Sequence, residues 1–265
     1  MKRKIAMIQM DVTYGDPKVN FARVGKWVMD AVQSGAEIIV LPELWDTGYD
    51  LERFEMLADK DAKATIEFLS DLAKQWNVAI VGGSAAEQTV DGMKNTMLVV
   101  DQDGKLVHKY SKLHLFQLMD EHVYLTKGED HADFELAGIP SAGFICYDIR
   151  FPEWMRKSAV NGAKVMYVTA EWPKQRIDHW RTLLQARAIE NQCYVVACNR
   201  VGADPNNEFG GMSMVVDPWG EIVTDGGHDE KSFLLKSTWI RWMKSDGKYL
   251  YFKIGKKIGI NFCRV

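Results

Sequence analysis

Short strand-like runs alternate with helix-length periodic segments along most of this chain, and hairpin signals interrupt the alternation in its middle. Residues 5–11 alternate apolar and polar side chains, and residues 18–34 then place Phe21, Val24, Trp27, Val28 and Ala31 at helical spacing. Residues 37–41 form a short buried-strand run, 64–76 read as a helix and 78–82 as a strand. Two strand-like runs, 96–100 and 105–110, flank Asp101-Gln-Asp-Gly104, whose Asp-Gly suits a hairpin turn. Residues 142–146 are a further strand, followed by a helix over 152–160 with Pro152 tolerated in its first turn. Then come a strand over 164–169, a helix over 177–191 and a strand over 194–198. Runs 212–217 and 221–224 bracket Pro218-Trp219-Gly220, a second hairpin signal. This mixture disfavours a plain parallel sheet. It predicts an α/β fold with two mixed sheets covered by helices on the outside.

Composition narrows the class of protein rather than the fold. With 265 residues, 47% hydrophobic and 26% charged, the chain can bury about 70–75% of its unfolded surface without covalent staples. That excludes a disulfide scaffold, a disordered chain and a coiled-coil or collagen-like rod. No apolar run approaches the ~20 residues of a membrane-spanning helix. The start, Met1-Lys-Arg-Lys-Ile5, has a secretion signal's charge but neither the apolar region nor the cleavage site after it, which points to the cytoplasm. The four cysteines, Cys146, Cys193, Cys198 and Cys263, make no CxxC pair and no zinc-finger spacing, so reduced thiols and no metal site are expected. Phosphate-cradling glycine motifs are missing, and Gly82-Gly83-Ser84 reads as a strand-end turn. No linker or repeat divides residues 1–265, which read as one domain. The net charge of −3 is uneven: residues 231–265 hold nine basic residues against Asp246 alone. Any nucleic-acid contact would have to use that ending, and the function class carried by the rest has no need of one.

Reactive side chains stand just past three strand ends, where α/β folds tend to place their chemistry. Glu43 follows the run 38–41, Lys112 follows 107–110, and Cys146 follows 143–145. Singly, each has a plain structural reading: a helix-start acid, a solvated loop charge, a packing cysteine. Together with their flanks they are far more specific. Leu41-Pro-Glu-Leu-Trp-Asp-Thr-Gly-Tyr49, Tyr110-Ser-Lys-Leu-His-Leu115 and Phe144-Ile-Cys-Tyr-Asp-Ile-Arg-Phe-Pro-Glu153 resemble the Glu–Lys–Cys motifs of the nitrilase superfamily of carbon–nitrogen hydrolases, in its amidase branch. Glu121-His-Val-Tyr-Leu-Thr-Lys-Gly128, Gln185-Ala-Arg-Ala-Ile-Glu-Asn191 and Gly211-Met-Ser-Met-Val-Val-Asp-Pro-Trp-Gly220 are similar too, so the resemblance spans about residues 4–227. It implies a four-layer α-β-β-α sandwich, an omega-amidase-like enzyme that releases ammonia from a 2-oxo acid, no cofactor and a homodimer.

Amide hydrolysis needs a nucleophile, a proton shuttle and a place for the developing oxyanion. A cysteine with an ordinary pKa of about 8.5 is mostly thiol at neutral pH, so it needs a base or a cationic neighbour. Cys146 is read as the nucleophile and Glu43 as the general base, later the acid toward the leaving amine. Lys112 and the backbone N–H of Tyr147 would hold the oxyanion. The resemblance implies that Glu121 is a second glutamate orienting the lysine. Tyr49, Arg150 and Trp172 are candidates for binding the small amide substrate. For Arg150 an ion pair with Glu153 or Asp148 is the competing reading. His179 is an unneeded base, and His114 and His122 read as structural. The chemistry leaves open an N-carbamoyl amino acid hydrolase, a nitrilase, or a silent binding protein on the same fold. From about residue 231 the ending departs from the family. It reads either as a basic interaction tail or as the product of a late reading-frame change.

Overall fold

The computed structural model describes residues 3–234. The basic ending beyond Leu234, with Cys263, lies outside the described residues, so neither reading of it meets the structure. The N-terminal half supplies one sheet, from β1 (Ile5–Gln9), β2 (Ile38–Val40), β3 (Asp59–Lys60), β4 (Ala79–Thr89), β5 (Gly92–Val100) and β6 (Leu106–Ser111). The second sheet contains β7 (Asp133–Leu136), β8 (Ile139–Ile145), β9 (Val165–Ala170), β10 (Tyr194–Asn199), β11 (Met214–Val216) and β12 (Ile222–Asp225). A last strand, β13 (Lys231–Leu234), returns to the first sheet and pairs antiparallel with β1, Ala6 opposite Leu234. In each sheet three parallel strands form the centre, β1-β2-β4 and β10-β9-β8, and antiparallel strands extend it, while the two-residue β3 pairs parallel with the far end of β4. Both sheets are mixed, as the interrupted alternation predicts.

Side-chain alternation sorts the layers. Met7, Val40, Val81 and Val99 face the second sheet and join its Phe144, Val168 and Val196 in one buried cluster. Their neighbours Ile8, Ile39, Ile80 and Leu98 point the other way, onto α1 (Pro17–Gln33) and α3 (Lys63–Trp76). These helices meet the sheet through Val24, Val28, Ala31, Leu69 and Ala73 at three- and four-residue spacing. The second sheet is covered in the same way by α5 (Pro152–Asn161) and α6 (Ile177–Asn191), through Met155, Ala159, Trp180, Leu184 and Ala188. Two one-turn helices, α2 (Phe54–Leu57) and α4 (Glu121–Tyr124), sit in connecting segments. The result is an α-β-β-α sandwich. No helix among the described residues is long and apolar enough to cross a membrane.

Both hairpin signals hold. Gly104, at φ +79°, turns β5 into β6, with the Asp101 amide donating to the Lys105 carbonyl at 2.9 Å. Asp217 Oδ1 accepts the Trp219 and Glu221 amides at 2.8 and 2.9 Å at the other turn. The Gly82-Gly83-Ser84 expectation needs correction: the strand does not end there but continues to Thr89.

Candidate active site

That glycine pair shapes the loop that carries Glu43. It shifts the β4–β5 register between Val81 and Ser84. A Cβ on Gly83, at φ +58°, would stand 1.9 Å from the Pro42 carbonyl oxygen, so glycine alone lets β4 pass this loop. Beyond the bulge the Ser84 amide donates to the Pro42 carbonyl at 3.2 Å, and the Ser84 hydroxyl accepts the Leu44 amide at 2.9 Å. Glu43 is thus held between the end of β2 and an irregularity in β4.

Lys112 follows β6, and its amide donates to the Asn95 carbonyl at 2.8 Å. Cys146 follows β8 at φ +45°, a left-handed conformation that costs a non-glycine residue about 1–3 kcal/mol. The carboxylate of Asp148, fully buried, fixes that turn. Its Oδ2 accepts the Ile145 amide at 2.9 Å and the Tyr110 hydroxyl at 2.8 Å. Its Oδ1 accepts the His114 amide at 3.1 Å and lies 2.7 Å from His114 Nδ1. One side chain therefore ties the Lys112 segment to the Cys146 turn. His114, stacked on Phe151 with ring centroids 3.7 Å apart, belongs to this brace. His122 is exposed on α4.

The three strand ends converge. Lys112 Nζ lies 2.8 Å from Glu43 Oε1 and 2.6 Å from Glu121 Oε1, with all three side chains removed from solvent. Glu43 Oε1 also accepts from Asn95 Nδ2 at 2.8 Å, and Oε2 accepts the Glu171 amide at 2.8 Å. Glu43, Lys112 and Glu121 all act electrostatically on the buried Cys146 thiol. Glu121 Oε2 takes the Phe116 amide at 2.5 Å. Tyr49, expected at the substrate, has its hydroxyl within this cluster. It is 3.2 Å from Glu43 Oε1, hydrogen-bonded to Glu121 Oε1, and accepts from Lys112 Nζ at 3.3 Å. Neither Asn95 nor the Tyr49 bridge is readable from sequence spacing.

Burial dominates the electrostatics. It pushes the Cys146 thiol well up, and Glu43 adds to this by its charge, against the opposing pull of Lys112. The resting sulfur is therefore a thiol. Burial alone would strip the proton from Lys112, but the negative charges of Glu121 and Glu43 outweigh it and hold the ammonium. Burial also raises Glu121, opposed by Lys112. Glu171, fully buried, is pushed up to about 8 by desolvation, against the pull of the Arg200 guanidinium, which lies 3.1 Å from its Oε2.

The remaining candidates lie around this cluster. The Tyr147 amide opens a short turn of 3₁₀ type over Cys146–Arg150, whose first amides have no acceptor within the turn. Trp172 is buried; its amide donates to Asn199 Oδ1 and its indole N–H to the Arg176 carbonyl, each at 2.7 Å. Arg150 forms no ion pair with Glu153 or Asp148 among the described residues. Its guanidinium carbon sits 5.0 Å from the Trp172 ring and 5.9 Å from the Tyr147 ring, and Nη2 is 3.2 Å from the exposed His179. No group of three or more His, Cys, Asp or Glu among the described residues is arranged to hold a metal ion.

A sandwich that gathers a thiol, an ammonium and two carboxylates past its strand ends has the chemistry of a thiol-dependent hydrolase. The chain belongs to the carbon–nitrogen hydrolase family, which it matches over residues 4–237, a span that includes β13. It is 48% identical over 230 residues to a 2-oxoglutaramate amidase of Bacillus subtilis, covering 87% of this chain and 88% of that one. It is 37% identical to the omega-amidase YafV of Escherichia coli K12 over 83% of each. Among solved structures it is similar to Saccharomyces cerevisiae Nit3, a member of branch 10 of the nitrilase superfamily. The TM-score is 0.82 and the identity 30%, over 88% of this chain and 89% of that one.

Proposed function

We propose that this chain hydrolyses the distal amide of a small 2-oxo acid and releases ammonia through a thioester on Cys146. The observation that carries the reading is the buried Cys146 thiol under the influence of Glu43 and Lys112, with the Lys112 ammonium bridging Glu43 and Glu121. As Cys146 Sγ adds to the amide carbon, Glu43 takes the thiol proton. The carbonyl oxygen becomes an oxyanion, held by Lys112 and the Tyr147 N–H; such a donor is worth about 10²–10³-fold in rate. The C–N bond then breaks, and Glu43 returns the proton to the nitrogen, which leaves as ammonia. Water, deprotonated by Glu43, attacks the thioester; the S–C bond breaks, the carboxylate is released and the thiol is restored. Glu121 and Tyr49 position Lys112 throughout.

The relatives named for 2-oxoglutaramate and omega-amide hydrolysis support the substrate class. We infer the cytoplasm, where a free thiol nucleophile stays reduced, a homodimer, and one catalytic domain. An ammonia-release assay on 2-oxoglutaramate, 2-oxosuccinamate, aliphatic amides, nitriles and N-carbamoyl amino acids tests the reading. The 2-oxo acid amides should give the highest kcat/KM. A preference for nitriles or N-carbamoyl amino acids, or no turnover of any, contradicts it.

A further inference from the structure

Where the β9–β10 ladder runs out, side chains take over from strand pairing. The last paired residues are Ala170 and Asn199. The peptide that joins Ala170 to Glu171 is then held at both ends. Its carbonyl accepts the Arg200 amide at 3.1 Å, and its N–H donates to Glu43 Oε2 at 2.8 Å. One residue further, Asn199 Oδ1 accepts the Trp172 amide at 2.7 Å and Nδ2 donates to the Trp172 carbonyl at 3.3 Å. The general base therefore takes one of its hydrogen bonds from a peptide whose place is set by residues 199 and 200.

The Arg200 side chain, fully buried, reaches round the same peptide. Nη1 lies 3.1 Å from Glu171 Oε2 and Nη2 lies 3.0 Å from Asp11 Oδ1. Nη2 also donates to the Val12 carbonyl at 2.8 Å, and Nε to the Val201 carbonyl at 3.1 Å. A Cβ on Gly48, in the loop between Glu43 and Tyr49, would stand 3.7 Å from Nη1. One guanidinium thus touches the segment after β1, the Glu43 loop and the residue whose amide binds Glu43. Its rigid fork of donors suits such a junction. Glu171 Oε1 has no hydrogen-bond partner among the described residues. The proton that burial retains up to about 8 sits there and leaves Oε2 to accept from Arg200. A buried ion pair alone says little for stability, since apolar residues of like volume often serve as well. What this pair adds is geometry at the base.

We propose that Arg200 and Glu171 are a positioning pair for Glu43, holding the Ala170–Glu171 peptide and the Glu43 loop in one arrangement so that the Glu171 amide stays on Glu43 Oε2. The pair rests on the amidase reading for the work that Glu43 does. It acts on proton transfer from Cys146, not on binding of the substrate.

The test compares the parent with Glu171→Ala, which removes the grip, Glu171→Gln, which keeps an acceptor opposite Arg200, and Asp11→Asn, which weakens the other ion pair of the guanidinium at a half-exposed side chain. Each is measured for kcat and KM on 2-oxoglutaramate, for the rate at which iodoacetamide labels Cys146, and for Tm. Glu171→Ala should lower kcat and labelling at least about tenfold and leave KM within about twofold. Glu171→Gln should recover most of both. Asp11→Asn should keep the parental kcat whatever it does to Tm. If Glu171→Ala does not fold, the uncharged pair Arg200→Met/Glu171→Met takes its place with the same expectation. Parental kcat in Glu171→Ala or in the methionine pair, a loss carried by KM alone, a Glu171→Gln as impaired as Glu171→Ala, or an equal fall in Asp11→Asn overturns the proposal. Absent turnover in the parent, with labelling that still slows in Glu171→Ala, counts against the amidase reading alone.

Discussion

Replacing Lys112 by methionine isolates the electrostatics of the site from its shape. The side chain keeps its length and loses the charge that lies 2.8 and 2.6 Å from two carboxylates sealed from solvent. Removing one member of a buried ionic cluster and leaving its partners uncompensated costs about 3–5 kcal/mol. For a protein of this size each kcal/mol shifts Tm by about 2–4 °C, so the variant should melt about 6–20 °C below the parent near pH 8. The penalty depends on pH with a definite sign. Burial already pushes Glu121 above the ordinary carboxylate value of 4.5, and without the ammonium it rises further. A folded-state carboxyl that binds its proton more tightly than the unfolded one loses stability as pH rises through that window. The gap in Tm should therefore narrow near pH 5. The double variant Lys112→Met/Glu121→Gln, with one negative charge fewer, should recover most of the loss near pH 8 while remaining inactive. Thermal melts of the three proteins at the two pH values decide the matter. A single variant melting within about 2 °C of the parent, equivalent to 1 kcal/mol or less, refutes the reasoning. So does a double variant no more stable than the single one.

Asp148→Asn weakens four hydrogen bonds that join the Lys112 and Cys146 segments. It should cost about 2–4 kcal/mol and lower kcat, and parental melting and turnover would contradict the brace. Gly83→Ala sets a Cβ 1.9 Å from the Pro42 carbonyl and should displace the Glu43 loop, cutting ammonia release at least about tenfold; full activity would contradict that. Glu171, raised to about 8 by burial, binds a proton in the folded chain that the unfolded chain has released. Stability should therefore fall as pH rises from the ordinary carboxylate range toward 8. Glu171→Gln should flatten that slope in urea unfolding, and an unaltered slope would remove Glu171 from the account.

The sequence discloses most where chemistry and local pattern coincide. Glu43, Lys112 and Cys146 are visible because each stands just past a strand run, and their flanking motifs carry the family resemblance. Helix α6 matches its predicted bounds, 177–191. What stays hidden depends on distant pairing. Gly82-Gly83 looks like a turn; β4 continues past it only because Ser84 to Thr89 finds β5 as a partner. Strand β13 joins β1 across more than two hundred residues, which no local window records. Tyr49 reads as a pocket residue from its place after the Glu43 motif. Only the folded arrival of Glu121 and Lys112 gives its hydroxyl other partners. Arg200, which no motif singles out, acquires meaning from Glu171 and from Asp11, 189 residues earlier in the chain.

The central claim is that a covalent acyl group passes through Cys146. Rapid acid quenching of the enzyme during turnover of 2-oxoglutaramate, followed by peptide mass spectrometry, tests it most directly. The account predicts a transient adduct on the Cys146 peptide, with a mass gain equal to the substrate less ammonia, lost under alkaline hydroxylamine and absent from Cys146→Ala, which should release no ammonia. Continued ammonia release by Cys146→Ala, or an adduct that maps to Cys193 or Cys198, would contradict it.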